Sequence, residues 1–104
     1  MYLTLKYVRL SNWSVVAAGL LFLVACATPL PVQEMSNARQ ALQAAEAADA
    51  AHFAPQDLRR ARRLLDRAST FLEAGEYGQA RALAVEARMA AWRAHELAVN
   101  HRTR

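Results

Sequence analysis

The sequence has very few of the residues that build disulfides and phosphate-binding loops. Its 104 residues include one cysteine, three glycines and three prolines. A single cysteine cannot form a disulfide within the chain, so the lone thiol needs another explanation. No glycine-rich loop of the type that surrounds a phosphate group is present.

Catalytic and metal-binding patterns are equally scarce. Ser69 and Thr70 have no histidine or lysine placed to activate a hydroxyl as a nucleophile. His52, His95 and His101 lack the i, i+4 spacing by which two histidines on one helix share a metal ion. We therefore expect no enzymatic activity, no metal and no dissociable cofactor.

Lysine is absent after Lys6, so the rest of the chain uses arginine as its basic residue. The formal net charge is +4, and Lys6 and Arg9 supply half of it. The remainder is nearly balanced between arginines and acids, which is not the strongly basic pattern of a nucleic-acid-binding domain. We expect no nucleic-acid partner.

The N-terminal segment is basic at its start and then uncharged from Leu10 to Gln33. Its most apolar part, Trp13 to Ala25, has the length of a signal-peptide core and is short for a membrane span, which needs about 20 residues. This pattern predicts a cleavable secretory signal over residues 1–25. The alternative is an uncleaved signal anchor, with Cys26 a small apolar residue near the bilayer edge.

The end of that segment, Leu23-Val24-Ala25-Cys26, resembles a bacterial lipobox. The resemblance implies that Leu23 enters the apolar pocket of the lipoprotein signal peptidase. It also implies that Cys26 carries a diacylglycerol on its thiol and an N-acyl chain on its new amino group. Ala27 follows instead of aspartate, which by similarity to enterobacterial sorting implies an outer-membrane location. The covalent lipid on Cys26 would then be the only non-protein group.

Residues 26–32 contain Pro29 and Pro31, which cannot continue a helix and favour an extended chain. This predicts a short tether that holds the rest of the protein close to the membrane. The domain itself is predicted over residues 33–104.

The sequence of residues 33–104 predicts an all-α fold. It indicates a small, alanine-rich antiparallel bundle of three helices, over about 33–51, 55–73 and 76–100. Pro55 suits the first turn of the second helix, and Gly75 suits the left-handed residue that ends it. About 80 residues with so much alanine make a thin core, so we expect self-association or a partner helix.

The second helix is the most clearly amphipathic. One face predicts a core stripe, composed of Leu58, Ala61, Leu64, Leu65, Ala68, Phe71 and Leu72. The opposite face carries Arg59, Arg60, Arg63 and Arg67, which could bind anionic groups of lipid or peptidoglycan. A solvated helix face is the simpler interpretation, with Asp66 paired to Arg62 and Arg63.

The third helix has two apolar stripes. The first is made mostly of small residues, namely Tyr77, Ala80, Leu83, Ala84, Ala87, Ala91, Ala94 and Ala98. The second consists of Val85, Met89, Trp92 and Val99. Two stripes predict contacts with two neighbouring helices, which would make Val85, Met89 and Trp92 core residues. The alternative is that these three form a surface patch for a partner. Tyr77 is expected to pack at the short turn between the second and third helices, which form an antiparallel hairpin.

Phe53 to Ala91 resembles a bacterial family, domain of unknown function 4398. The matching residues are Phe53-Ala54-Pro55, Ala61-Arg62, Leu65, Ala68, Gly75-Glu76-Tyr77 and Ala80. The resemblance implies an envelope-associated domain that is often part of a lipoprotein. Some members of this family are fused to a peptidoglycan-binding domain of the outer-membrane-protein-A type, so the resemblance implies that cell-wall contact here could occur through a peptidoglycan-binding outer-membrane partner or through the helices themselves. It brings no catalytic residues.

These features together predict a non-enzymatic structural or adaptor lipoprotein on the periplasmic side of the outer membrane. Two other functions fit the sequence. One is a single-pass inner-membrane protein that regulates a membrane complex through its helices. The other is a peptide-binding hairpin, with a groove between the second and third helices.

Overall fold

The structure is a computed structural model in which residues 29–104 are described. They form four α-helices: α1, Val32–Ala47; α2, Ala50–Phe53; α3, Pro55–Glu73; and α4, Tyr77–Arg102. The three long helices pack as a bundle in which α3 runs antiparallel to α1 and α4. This part of the chain contains no β-strand, and the predicted all-α fold is confirmed.

The first predicted helix is not continuous. α1 ends at Ala47, and Asp49 adopts a left-handed conformation with φ 63° and ψ 39°. Aspartate tolerates this region better than most residues, although it still carries a conformational cost. The turn redirects the chain so that Ala50 and Ala54 reach the core, which a straight helix would not achieve.

α3 begins as its sequence predicts. Ala54 lies outside the helical region, with φ −144° and ψ 56°, because the ring of Pro55 disfavours a helical conformation for the residue before it. Pro55 occupies the start of the helix, where its missing N–H loses no intrahelical hydrogen bond. Asp57 lies in the first turn, near the positive end of the helix dipole.

The turn between α3 and α4 is a Schellman motif centred on Gly75. Gly75 has φ +78°, the backbone N–H of Glu76 donates to the Phe71 carbonyl at 2.9 Å, and the N–H of Gly75 donates to the Leu72 carbonyl at 3.1 Å. These bonds satisfy carbonyls that the end of the helix leaves without partners. The predicted role of Gly75 is confirmed.

Alanine substitutions at Gly75, in this turn, and at Gly78, just after it, should change the free energy of unfolding in opposite directions. Gly75→Ala places a side chain at positive φ, and we expect it to lower the free energy of unfolding by about 1 kcal/mol. Gly78→Ala lies within α4, where alanine is the better helix former, and should raise it by up to about 1 kcal/mol. A Cβ at either position meets no atom within 4 Å, so backbone conformation alone sets the difference. Urea unfolding followed by circular dichroism measures the free energy of unfolding of both variants. A change of the same sign in both would contradict the assignment of the two effects to backbone conformation.

The core of the bundle is built largely from alanine. α4 lies between α1 and α3 and contacts both more extensively than they contact each other. It buries Ala80, Ala84, Ala87, Ala90, Ala91, Ala94 and Ala98. Small side chains let helix axes approach closely, so the predicted small-residue stripe is confirmed as the contact surface.

Few large side chains are fully buried among the described residues. Only Met35, Leu58 and Pro31 among the larger residues are less than 2% exposed. On α3, Leu58, Ala61, Leu64 and Ala68 are buried as predicted. Leu65, Phe71 and Leu72 are only half-buried, because the narrow gap between helices accommodates alanine and leaves larger groups at its edges.

Candidate functional site

The arginine face of α3 lies in solvent. Arg59, Arg60, Arg63 and Arg67 are all exposed, and none of them forms an ion pair within residues 29–104. Four neighbouring guanidinium groups without carboxylate partners make this face the most basic surface on α3. It remains available for an anionic partner.

The predicted pairing of Asp66 with Arg62 and Arg63 is wrong. Arg62 instead pairs across the bundle with Glu46 of α1, with Nη2 to Oε1 at 3.1 Å. Arg62 lies on the side of α3 that turns toward α1, which brings it closer to Glu46 than to its own neighbour along the helix. The pair is exposed on both sides, so its contribution to stability is small.

The second apolar stripe of α4 is exposed, so the prediction that it contacts a neighbouring helix is wrong. Met89 is 67% exposed, Trp92 is 44% and Val85 is 41%, and Val99 shares this face. Both neighbouring helices pack on the alanine side, which leaves this side in solvent. We call Val85, Met89 and Trp92 the α4 outer patch. Large apolar groups in contact with water indicate an interaction surface when they are contiguous.

The arginine face and the α4 outer patch meet at a shallow groove. The groove holds about 290 Å³ and is lined by Arg60 of α3 and by Glu86, Met89, Ala90 and Arg93 of α4. Arg93 also reaches Asp57 at 3.7 Å. The groove therefore combines a projecting methionine, a small residue beside it, and charges of both signs.

A cluster of polar contacts around Arg81 fixes the chain where it enters the helical bundle. Arg81 of α4 donates from Nε to Glu34 at 3.0 Å and from Nη2 to the Pro29 carbonyl at 2.9 Å. Pro31 is buried beside the start of α1. Residues 29–32 of the predicted tether are therefore held against the bundle, and Val32 is already helical.

The histidines lie against aromatic side chains. His52 meets the Phe53 ring edge-on, with the two ring centroids 4.7 Å apart. His101 stacks on the same Phe53 ring, with the centroids 6.5 Å apart. His95 meets Trp92 edge-on at 5.3 Å. Within residues 29–104, no three His, Cys, Asp or Glu side chains come together as a group that could hold a metal ion.

The hydroxyls of Ser69 and Thr70 are used within their own helix. Ser69 donates to the Leu65 carbonyl and Thr70 donates to the Asp66 carbonyl, each at 3.1 Å. This is the common i−4 bond of helical serine and threonine. Tyr77 begins α4 and is half-buried.

The lipobox residues Leu23, Val24, Ala25 and Cys26 lie outside the described residues, as does the predicted signal peptide. Among residues 29–104, no helix combines the length and the apolar character that a membrane span requires.

Sequence reasoning missed Arg81, Glu86 and Arg93 as site residues. Arg81 carries no local signal, because its partners Glu34 and Pro29 lie 47 and 52 residues away along the chain. Glu86 and Arg93 did carry a signal, because their spacing of two helical turns places them on one side of α4. That signal becomes meaningful only once the outer patch is known to be exposed.

The described structure defines a small helical domain with an alanine core and an exposed apolar patch beside a basic face. A family described as a domain of unknown function, DUF4398, matches residues 33–104. Because the match spans more than half of the chain, the chain belongs to this family. No curated protein and no solved structure matches the chain.

Proposed function

We propose that this protein is a small lipoprotein of a bacterial envelope whose helical body acts as a non-enzymatic structural or adaptor module. The observation that carries the proposal is the sequence Leu23-Val24-Ala25-Cys26, which follows a basic start and an uncharged apolar run. Acyl chains contribute about 0.8 kcal/mol per buried CH₂, so two or three chains on Cys26 give stable membrane attachment.

The contacts of Arg81 support a body held at the membrane. Only Ala27 and Thr28 separate Cys26 from Pro29, whose carbonyl accepts a hydrogen bond from Arg81. Three residue steps span about 10 Å, so an anchor at Cys26 would leave the bundle little room to move away from the bilayer. Pro29 and the residues that surround it at the start of α1 would lie nearest to the lipid.

An adaptor role draws its support from the exposed surface. The arginine face of α3 forms no ion pair within residues 29–104, which leaves a basic surface for an anionic partner.

Mass spectrometry of the mature protein tests the anchor. We expect a chain that begins at Cys26 and carries a diacylglycerol and an N-acyl group. Cys26→Ser should give an unacylated chain that keeps residues 1–25, because the peptidase acts on the lipidated cysteine. An intact Met1 with a free Cys26 thiol in the unaltered protein would show instead that residues 1–25 remain as a signal anchor.

The proposed outer-membrane location rests on Ala27, by similarity to enterobacterial sorting. In an enterobacterial host, Ala27→Asp should move the acylated protein to the inner-membrane fraction on a density gradient. Ala27→Ser serves as the matched control and should stay in the outer-membrane fraction. An unaltered protein that sediments with the inner membrane would argue against this location.

A further inference from the structure

The α4 outer patch is self-complementary. In the sequence, the midpoint between Val85 and Trp92 falls within half a residue of Met89. The midpoint between Glu86 and Arg93 does so as well. If a second α4 crosses in the opposite direction at Met89, Val85 meets Trp92 of the second copy and Glu86 meets Arg93. Every contact then occurs twice, as a twofold axis requires.

The charges support this antiparallel arrangement. Glu86 and Arg93 are separated by two helical turns and so lie on the same flank of α4. In an antiparallel pair, equivalent flanks face each other, and opposite charges at symmetry-related positions form two ion pairs. In a parallel pair, the flank that carries Glu86 and Arg93 would instead face the opposite flank of the second copy, so these two residues could not pair between copies.

The shape of the groove supports the same centre. Met89 projects from α4 with 67% of its surface exposed, while Ala90 beside it lines the groove with Glu86 and Arg93. Ala90 is only 7% exposed, so it forms the floor of the groove and leaves space above it between Glu86 and Arg93. The Met89 side chain of a second copy can therefore enter the groove beside Met89.

The composition of the core favours assembly with a second copy. Among residues 29–104, the fully buried set is mostly alanine, whereas Met89, Trp92 and Val85 are exposed. Small domains that bury little apolar surface are marginally stable unless assembly adds to it. Covering the outer patch buries Met89 and Trp92, the two largest exposed apolar side chains among residues 29–104.

We propose that this protein forms an antiparallel homodimer through the α4 outer patch, centred on Met89 and closed by Glu86–Arg93 ion pairs between copies. Arg81 lies on the other flank of α4, and it holds Pro29 there. A twofold axis perpendicular to both α4 helices places the Arg81 flanks of the two copies on the same side of the dimer. Pro29 of each copy therefore lies on that side, which suits two lipid anchors in a single membrane.

Cysteine crosslinking of the full-length protein in membranes tests the dimer. Met89→Cys should give a disulfide-linked dimer on mild oxidation, because the two positions meet at the axis. Ala82→Cys is the matched control, since Ala82 is exposed on the same side of α4 and two such residues would lie about 21 Å apart. The unaltered chain measures any background from Cys26.

The register and the charges are tested separately. Ala82→Cys and Glu96→Cys chains expressed together should crosslink to each other, because these positions are symmetric about Met89. In the Met89→Cys chain, Glu86→Arg should lower the rate of dimer crosslinking about tenfold, and adding Arg93→Glu should restore it. Circular dichroism of each variant shows that the helices remain formed.

Three outcomes would overturn the proposal. Equal crosslinking at positions 82 and 89 would indicate a parallel pair, and no dimer at position 89 would show that the patch does not bind itself. Adducts of Met89→Cys with other proteins, without the dimer, would assign the patch to a different partner. Repeating the crosslinking in a Cys26→Ser chain removes both the anchor and its thiol, so the dimer and the anchor can fail independently.

Discussion

We expect Ala91→Leu to lower the free energy of unfolding by about 3 kcal/mol, a large effect for a domain of this size. Ala91 is 0% exposed and lies at the centre of α4, in contact with the buried alanines of α1 and with Leu64 of α3. The helices meet at this level through small side chains. Three added carbons have no space to enter, so the helix axes must separate.

Ala82→Leu is the control for this prediction. Ala82 lies on the exposed side of the same helix, so leucine there keeps a good helix former and meets no neighbouring helix. We expect a change of no more than about 0.5 kcal/mol. Urea unfolding monitored by the helical circular dichroism signal measures both variants. Equal stability of Ala91→Leu and the unaltered protein would mean that the alanine contact is loosely packed.

Leu58→Ala should lower the free energy of unfolding by about 2–5 kcal/mol. Leu58 is 1% exposed and is the one large, fully buried side chain in a cluster whose alanines come from α1, α2, α4 and the residues that flank α2. The buried alanine neighbours cannot extend into the space that leucine leaves, because they have no rotatable side chain. How far Leu42, Phe53 and Leu97, which pack against this cluster, move into the cavity sets the position within this range.

Leu30→Ala makes the same chemical change at a residue that is 54% exposed. Because little surface is buried there and no cavity forms, we expect a loss below about 1 kcal/mol. The same urea experiment compares the two leucines directly. A loss for Leu30→Ala as large as that for Leu58→Ala would show that the chain before α1 contributes to the core more than its exposure indicates.

The predicted elements that the structure confirms all depend on short-range rules. Pro55 at the start of α3 and Gly75 at its end act through their own backbone geometry. The stripe of alanines on α4 is visible from helical periodicity. Each of these features involves residues within a turn or two of one another, so a single sequence is enough to find them.

The break in the first helix was not predictable in the same way. Ala47, Ala48 and Ala50 favour helix locally, and only Asp49 adopts a left-handed conformation. The turn exists because the chain must place Ala50 and Ala54 in the core formed by Leu58 and α4. Long-range burial here outweighs local helix propensity.

Periodicity showed that α4 has two apolar stripes, but it could not say which of them faces the bundle. The larger stripe, with Met89 and Trp92, has more apolar surface, and area alone favours its burial. The alanine stripe is buried instead, because close approach of three helices is possible only through small side chains. The same choice leaves Val85, Met89 and Trp92 exposed as a candidate interface.

Local chemistry thus set the helix ends, the turn at Gly75 and the amphipathic pattern, because each depends on neighbouring residues alone. The tertiary structure decided which stripe is buried, which carboxylate Arg62 meets, and that Arg81 holds Pro29 from 52 residues away. These outcomes depend on distances between helices that are far apart in the chain. Only packing of the whole bundle determines such distances, so no single segment could indicate them.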